Sequence, residues 1–181
     1  MEIKNIFSDV FYIKPTQFDD SRGFFRENFN YRDLKKNNLE FNSVQDNYSF
    51  SKKKGTIRGL HFQNFPYEQA KIVYVESGEI LDIFVDIRKD SKNYGEYSSI
   101  ILNESTGFVL IPKGFAHGFC TLKDETKVLY KVDNYYNLES ESGIIWDDSF
   151  LNIDWPKLEE PFLISEKDKN YNNYLLYIKP L

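Results

Sequence analysis

The sequence predicts an all-β domain, and three observations carry that prediction. Apolar and polar residues alternate in short runs. Brief stretches rich in Gly, Asn, Asp and Lys separate the runs. Aromatic residues, 16 Phe, 13 Tyr and 2 Trp in 181 residues, are plentiful and favour strands. A chain of this length makes one well-cored unit, and no internal repeat, low-complexity tract or linker divides it. Residues 1–181 therefore read as a single domain, a sandwich or jelly-roll barrel.

In chain order, VFYIKP (10–15) and FFRENF (24–29) read as the first strands. YRDLKKNNL (31–39) is the one clearly helical segment, and SVQDNYSF (43–50) returns to strand. KIVYVE (71–76) and LDIFVDIR (81–88) flank Ser77-Gly78, a tight-turn signal, and read together as a hairpin. In the second of these, Leu81, Ile83, Val85 and Ile87 share one face, with Asp82, Phe84, Asp86 and Arg88 on the other. One face is then core and the other wetter. YSSIIL (97–102), FVLIP (108–112), HGFCTL (117–122) and KVLYKVDNYY (127–136) complete the strands. A short helical turn is expected in the tail, LISEKDKNYNNYLLYIKPL (163–181), so any helices are short and peripheral.

Charge narrows the choice of partners. The net charge of −5 supplies no overall positive field to draw the chain onto nucleic acid or an anionic membrane, so an anionic ligand must be held by local Arg and Lys residues. Cys120 is the single cysteine, which excludes an intrachain disulfide and a thiolate metal cluster and fits a reducing cytoplasm. The N-terminus lacks an uninterrupted apolar signal region, and no later stretch approaches membrane-spanning length. A cytoplasmic location is expected.

The two histidines, His61 in IRGLHFQ (57–63) and His117 in IPKGFAHGF (111–119), are the first candidates for chemistry. The P-x-G-x-x-H of the second stretch is a cupin half-motif, whose metal-binding versions carry H-x-H in the first half. Here the first half reads His61-Phe62-Gln63, one imidazole and an amide. Two histidines without cysteine or a sequence-local carboxylate make a poor transition-metal site, so no metal is expected. A satisfied structural histidine is the plainer reading, yet Arg58, Gly59, Gln63 and Lys71 surround His61 with anion-binding and carbonyl-binding chemistry and room for close backbone approach. A base, an electrostatic anchor and a phosphate clamp would together make a workable toolkit.

Beyond those two stretches, SRGFFRE (21–27), VQDNYS (44–49), EQAKIV (68–73), LDIFVDIRKDS (81–91), VLYKVDNYY (128–136), GIIWDD (143–148), IDWP (153–156) and LISEKD (163–168) form an ordered series along nearly the whole chain. With IRGLHFQ and IPKGFAHGF they resemble the dTDP-4-dehydrorhamnose 3,5-epimerase family, cofactor-free cupins that act on nucleotide sugars. The resemblance implies a cupin-type jelly-roll barrel and a nucleoside diphosphate 4-keto sugar as substrate. The C4 ketone of such a sugar acidifies the hydrogens on C3 and C5. Each inversion then needs a base, a stabiliser for the enolate oxygen and an acid on the opposite face.

Carried over by position, the resemblance makes His61 the base, Asp168 the carboxylate that orients it, Tyr130 the acid and Lys71 the cation beside the keto oxygen. Arg58 and Lys167 match diphosphate-holding positions. Arg22, Glu27, Gln45, Asp46, Asn47, His117 and Glu141 match others around the nucleotide sugar, while Phe25 and Tyr136 are candidates for stacking on base or sugar. The family also implies a homodimer in which N-terminal strands cross to the partner, giving Arg22 and Glu27 a role in trans. Tyr48 and Tyr74 depart from residues common in the family, which puts substrate identity in doubt between dTDP-4-dehydro-6-deoxyglucose and GDP-4-keto-heptose types. Double epimerisation is the leading expectation. Single-centre epimerisation at C3 or C5, 3,4-ketoisomerisation and non-catalytic sugar-nucleotide binding are the alternatives.

Overall fold

The computed structural model describes residues 1–174. Its strands are β1 (Glu2–Phe7), β2 (Val10–Lys14), β3 (Gln17–Asp20), β4 (Gly23–Arg26), β5 (Gln45–Ser51), β6 (Thr56–Gln63), β7 (Lys71–Ser77), β8 (Glu79–Asp86), β9 (Tyr97–Asn103), β10 (Phe108–Ile111), β11 (Phe115–Thr121), β12 (Thr126–Val132), β13 (Glu141–Gly143) and β14 (Leu163–Ile164). Two short helices, α1 (Tyr31–Lys36) and α2 (Glu166–Lys169), lie at the periphery. The helical turn expected in the tail is α2, and residues 175–181 of that segment lie outside the described residues. Among the described residues no helix is long and apolar enough to cross a membrane.

The strands form two six-stranded sheets, one ordered β1-β2-β10-β7-β12-β5 and the other β13-β6-β11-β8-β9 with β14 added in parallel to β6. This is the jelly-roll arrangement, with β3 and β4 standing apart as a two-stranded hairpin. Strand alternation sorts the side chains. Along β7, Val73 and Val75 point between the sheets with Phe84, Phe119 and Val128, whereas Ile72 and Tyr74 point outward. The outward face of the first sheet is covered by the 29–41 segment through Leu34, Leu39 and Phe41. Asn30 caps α1 there, its side-chain oxygen accepting from the Arg32 and Asp33 N–H groups. Ile144, Leu151 and Tyr174 cover the second sheet in the same way.

That double coverage corrects the expectation of a wetter face on β8. Asp82, Phe84 and Asp86 are all 0% exposed, because this face lines the space between the sheets while Ile83 and Val85 meet the covering segment. A buried carboxylate needs partners. Asp86 accepts from Arg88 at 2.6 Å and Ser91 at 2.7 Å, and Asp82 accepts from His117 at 2.7 Å.

The expected hairpin of 71–76 with 81–88 is also corrected. β7 pairs with β10 and β12, and β8 with β11 and β9, so the two consecutive strands belong to different sheets. Gly78 turns the corner with φ +91°, and a Cβ there would lie 2.4 Å from Thr126 Oγ1. A local turn signal marks that the chain reverses; it does not say whether the next strand pairs with its predecessor or faces it across the core. β12 likewise stops at Val132, short of the predicted 136, where Asp133 leaves the ladder to accept from the Ala70 N–H at 2.7 Å.

Candidate active site

The site is built first by an irregularity in β6. Arg58 and His61 are three residues apart, a spacing that sends side chains to opposite faces of a regular strand. Here the register against β11 passes from His117↔His61 to Phe119↔Arg58, which leaves one extra residue on β6. The bulge turns both side chains into the same cavity. Gly59 permits it: its φ is +125°, and a Cβ would sit 2.5 Å from the Gly118 Cα. The Gly59 N–H is then free to donate to Asp168 Oδ2 at 3.2 Å.

Asp168 arrives from 107 residues away. Leu163 and Ile164 of β14 pair with Thr56 and Ile57, setting α2 beside β6. Ser165 caps α2 by accepting the Asp168 N–H at 3.1 Å, and the Asp168 carboxylate meets His61 Nε2 at 2.8 Å. Burial pushes the Asp168 carboxyl up, but the His61 ring and the Gly59 and Ser165 hydrogen bonds outweigh it and hold it below the usual range. An ionised Asp168 accepts a hydrogen bond from the Nε2–H of His61, which leaves the Nδ1 lone pair of the ring available as a base.

A second imidazole–carboxylate pair lies alongside. His117 is the cross-strand partner of His61, and its Nε2 meets Asp82 Oδ1 at 2.7 Å. Opposite, the first sheet contributes Lys71 from β7 and Tyr130 from β12. Lys71 is 9% exposed, and burial pulls its ammonium down to about 8 against the attraction of Asp82 and Glu141. Burial pushes the Tyr130 hydroxyl up, while Arg58 and Lys167 pull it down.

His61, Asp168, His117, Lys71 and Tyr130 line a main chamber of about 520 Å³ that also holds Arg58, Lys167, Lys52 and Lys53. His61, Lys71 and Tyr130 also border a smaller chamber of about 130 Å³ with Gln45, Asn47, Tyr136 and Glu141. Lys167 donates to Glu141 at 2.7 Å, and the Tyr136 hydroxyl donates to the other carboxylate oxygen at 3.0 Å. Arg58 is held by Ser51 Oγ and the Phe50 carbonyl. One end of the cavity is thus cationic and the other polar and aromatic, with His61, Lys71 and Tyr130 where the chambers meet.

The other residues singled out in the sequence lie as follows. Asp46 faces the outer surface of β5 and pairs with Lys131 at 2.8 Å, because it alternates with the inward Gln45 and Asn47. Arg22 and Phe25 belong to the isolated hairpin region and Glu27 follows it. Arg22 pairs with Asp20, Glu27 accepts from Asn30, and none of the three lines the cavity. Tyr48 and Tyr74 also face outward, Tyr48 donating to Glu76 at 3.2 Å, so these departures from the family pattern do not touch the cavity. The Gln63 amide is engaged by the Tyr67 and Tyr135 carbonyls and the Asn137 N–H. Sequence reasoning missed Asp82, and also Tyr171, which stands edge-on to the His61 ring at 5.7 Å. A lone carboxylate inside the apolar run ILDIFV was the available signal for Asp82.

Comparison with known proteins decides the family. The family model described as dTDP-4-dehydrorhamnose 3,5-epimerase matches residues 4–175. The chain belongs to the dTDP-4-dehydrorhamnose 3,5-epimerase family. A dTDP-4-dehydrorhamnose 3,5-epimerase of Shigella flexneri is 44% identical, over 96% of this chain and 95% of its own. The crystal structure of the Bacillus anthracis str. Ames dTDP-4-dehydrorhamnose 3,5-epimerase with TDP and PPi bound superposes with a TM-score of 0.90 at 43% identity, covering 94% of this chain and 97% of that one. A Legionella pneumophila 3,5-epimerase in complex with dTDP-4-keto-L-rhamnose has a TM-score of 0.91 at 39% identity, covering 97% and 93%. This epimerase is therefore an isomerase of cupin fold, as its motifs imply.

Proposed function

We propose that the epimerase inverts C3 and C5 of a dTDP-linked 4-keto-6-deoxy sugar, an activity used to make rhamnose for surface polysaccharide. The observation that carries this reading is the placement of His61 and Tyr130 on different sheets of one cavity, with Lys71 beside both. His61 Nδ1 removes a proton from the carbon next to the ketone, and Asp168 stabilises the imidazolium that results. The electron pair moves onto the keto oxygen, where the Lys71 ammonium meets it in a desolvated setting. Tyr130 returns a proton from the opposite face, and the ketone re-forms with the centre inverted. The exchange needs no external oxidant, reductant or co-reactant.

Arg58 and Lys167 hold the diphosphate at the cationic end. Tyr136, half exposed at the side chamber, offers a face for the base. The working unit is a homodimer in the cytoplasm, with the β3–β4 hairpin of one copy completing the nucleotide site of the other through Arg22, Phe25 and Glu27.

The test is incubation with dTDP-4-keto-6-deoxyglucose in deuterated water, read by mass and NMR. Deuterium at both carbons with inverted products is expected; tight binding without exchange would leave a non-catalytic sugar-nucleotide binder. Exchange at one carbon alone would make it a single-centre epimerase, and carbonyl migration a 3,4-ketoisomerase. His61→Asn is expected to stop exchange at both centres. Tyr130→Phe should slow inversion more than proton loss, and equal losses would remove Tyr130 from the acid role.

A further inference from the structure

Asp82 is a buried charged group beside the site that this chemistry leaves unused. It is 0% exposed, projects from β8 into the space between the sheets, and spends Oδ1 on His117. Its Oδ2 is buried with no hydrogen-bond partner among the described residues. A native protein rarely leaves a buried carboxylate oxygen unmatched without a use for it. The Lys71 ammonium also makes no hydrogen bond or ion pair among the described residues, although Asp82 and Glu141 both attract its charge. The titratable groups around Lys71 are His61 from β6, Asp82 from β8, His117 from β11, Tyr130 from β12 and Glu141 from β13. Glu141 is already committed to Lys167 and Tyr136. Asp82, with an oxygen to spare and a stronger pull on Lys71 than that of Glu141, is the anion left to hold the lysine as an ammonium.

We propose that Asp82 is a positioning residue for epimerisation: one carboxylate oxygen fixes the His117 ring, and the unpartnered charge of the other keeps the Lys71 ammonium protonated for the sugar carbonyl. The inference rests on the epimerase reading above. Its consequence is that the cation receiving the enolate charge depends on a residue on the opposite sheet, through a group that touches no substrate.

Asp82→Asn keeps the size and an acceptor for His117 while removing the charge. The expected result is that Lys71 loses its proton about one pH unit lower. The alkaline limb of kcat/KM should move by the same amount, and kcat should fall about tenfold or more, while dTDP binding stays within about twofold. The Lys71 titration is followed by NMR of 15N-lysine-labelled protein, without turnover. An inactive wild-type enzyme would therefore sink the epimerase reading and still leave this result readable. A folded Asp82→Asn protein whose Lys71 titration is unmoved, or whose rate loss is flat across pH, overturns the proposal. If Asp82→Asn does not fold, Asp82→Glu carries the test. It retains the charge and should keep the Lys71 titration near the wild-type pH, and a drop of about one unit there is equally fatal.

Discussion

Lys71 is where burial and charge oppose each other most directly. Its ammonium is pulled down to about 8, first by burial, so the folded protein binds this proton less tightly than the unfolded chain does. Below about pH 8 the lysine is charged in both states and the full cost of burying it applies, on the order of 3 kcal/mol. Between about pH 8 and 10.4 the unfolded state holds more protons, so the cost fades and stability rises with pH. Lys71→Met should accordingly be inactive yet melt higher at pH 7, with the gain shrinking toward pH 9.5. A Met variant no more stable at pH 7 would contradict the cost assigned to the buried charge. Legibility at this scale was uneven. Arg58, His61 and Lys71 lie close together in sequence and declare a shared chemistry, whereas Asp168 looks like a solvated charge in a Glu-Lys-Asp-Lys run until β14 brings it to His61. Asp82 was hidden because alternation in an isolated strand cannot tell a solvent face from the inside of a barrel.

Strands with plain alternation were legible: β2, β9, β10 and β11 fall within a few residues of the segments read from the sequence. β6, which carries the site, was not placed, because the bulge that brings Arg58 and His61 together is also what breaks its periodicity. Pairing was harder still, since β7 and β8 share a turn signal but no ladder. Function has been bought here with irregularity, and Gly59 is the residue that permits it. Gly59→Ala would place a methyl against the Gly118 backbone at a φ that L-residues avoid. A loss of more than about 1 kcal/mol is expected, together with loss of the Arg58–His61 alignment. Thermal melts and solvent-deuterium exchange should fall together, and an Ala variant with full activity would show that the bulge is not needed for the site.

Over the whole molecule, one surface stands out. The β3–β4 hairpin extends from the barrel with Phe18 at 61%, Phe24 at 60% and Phe25 at 68% exposure, a concentration of apolar surface that a lone chain gains nothing by showing to water. The dimer proposed above gives it a destination. Changing Phe24 and Phe25 together to Ser should yield a monomer by sedimentation and weaken dTDP binding, while a fully dimeric double variant would remove the hairpin from the interface. The two sheets carry a different lesson. His61 and Asp168 belong to one side of the sandwich, Tyr130 to the other, and Phe84, Phe119 and Val128 fill the interior between them. On this reading the thickness of an oily core, laid down for stability, is also the span across which a carbon's handedness is exchanged. Repacking Phe84 and Val128, which do not line the chamber, should alter stereochemical fidelity, read as the ratio of inverted to retained product.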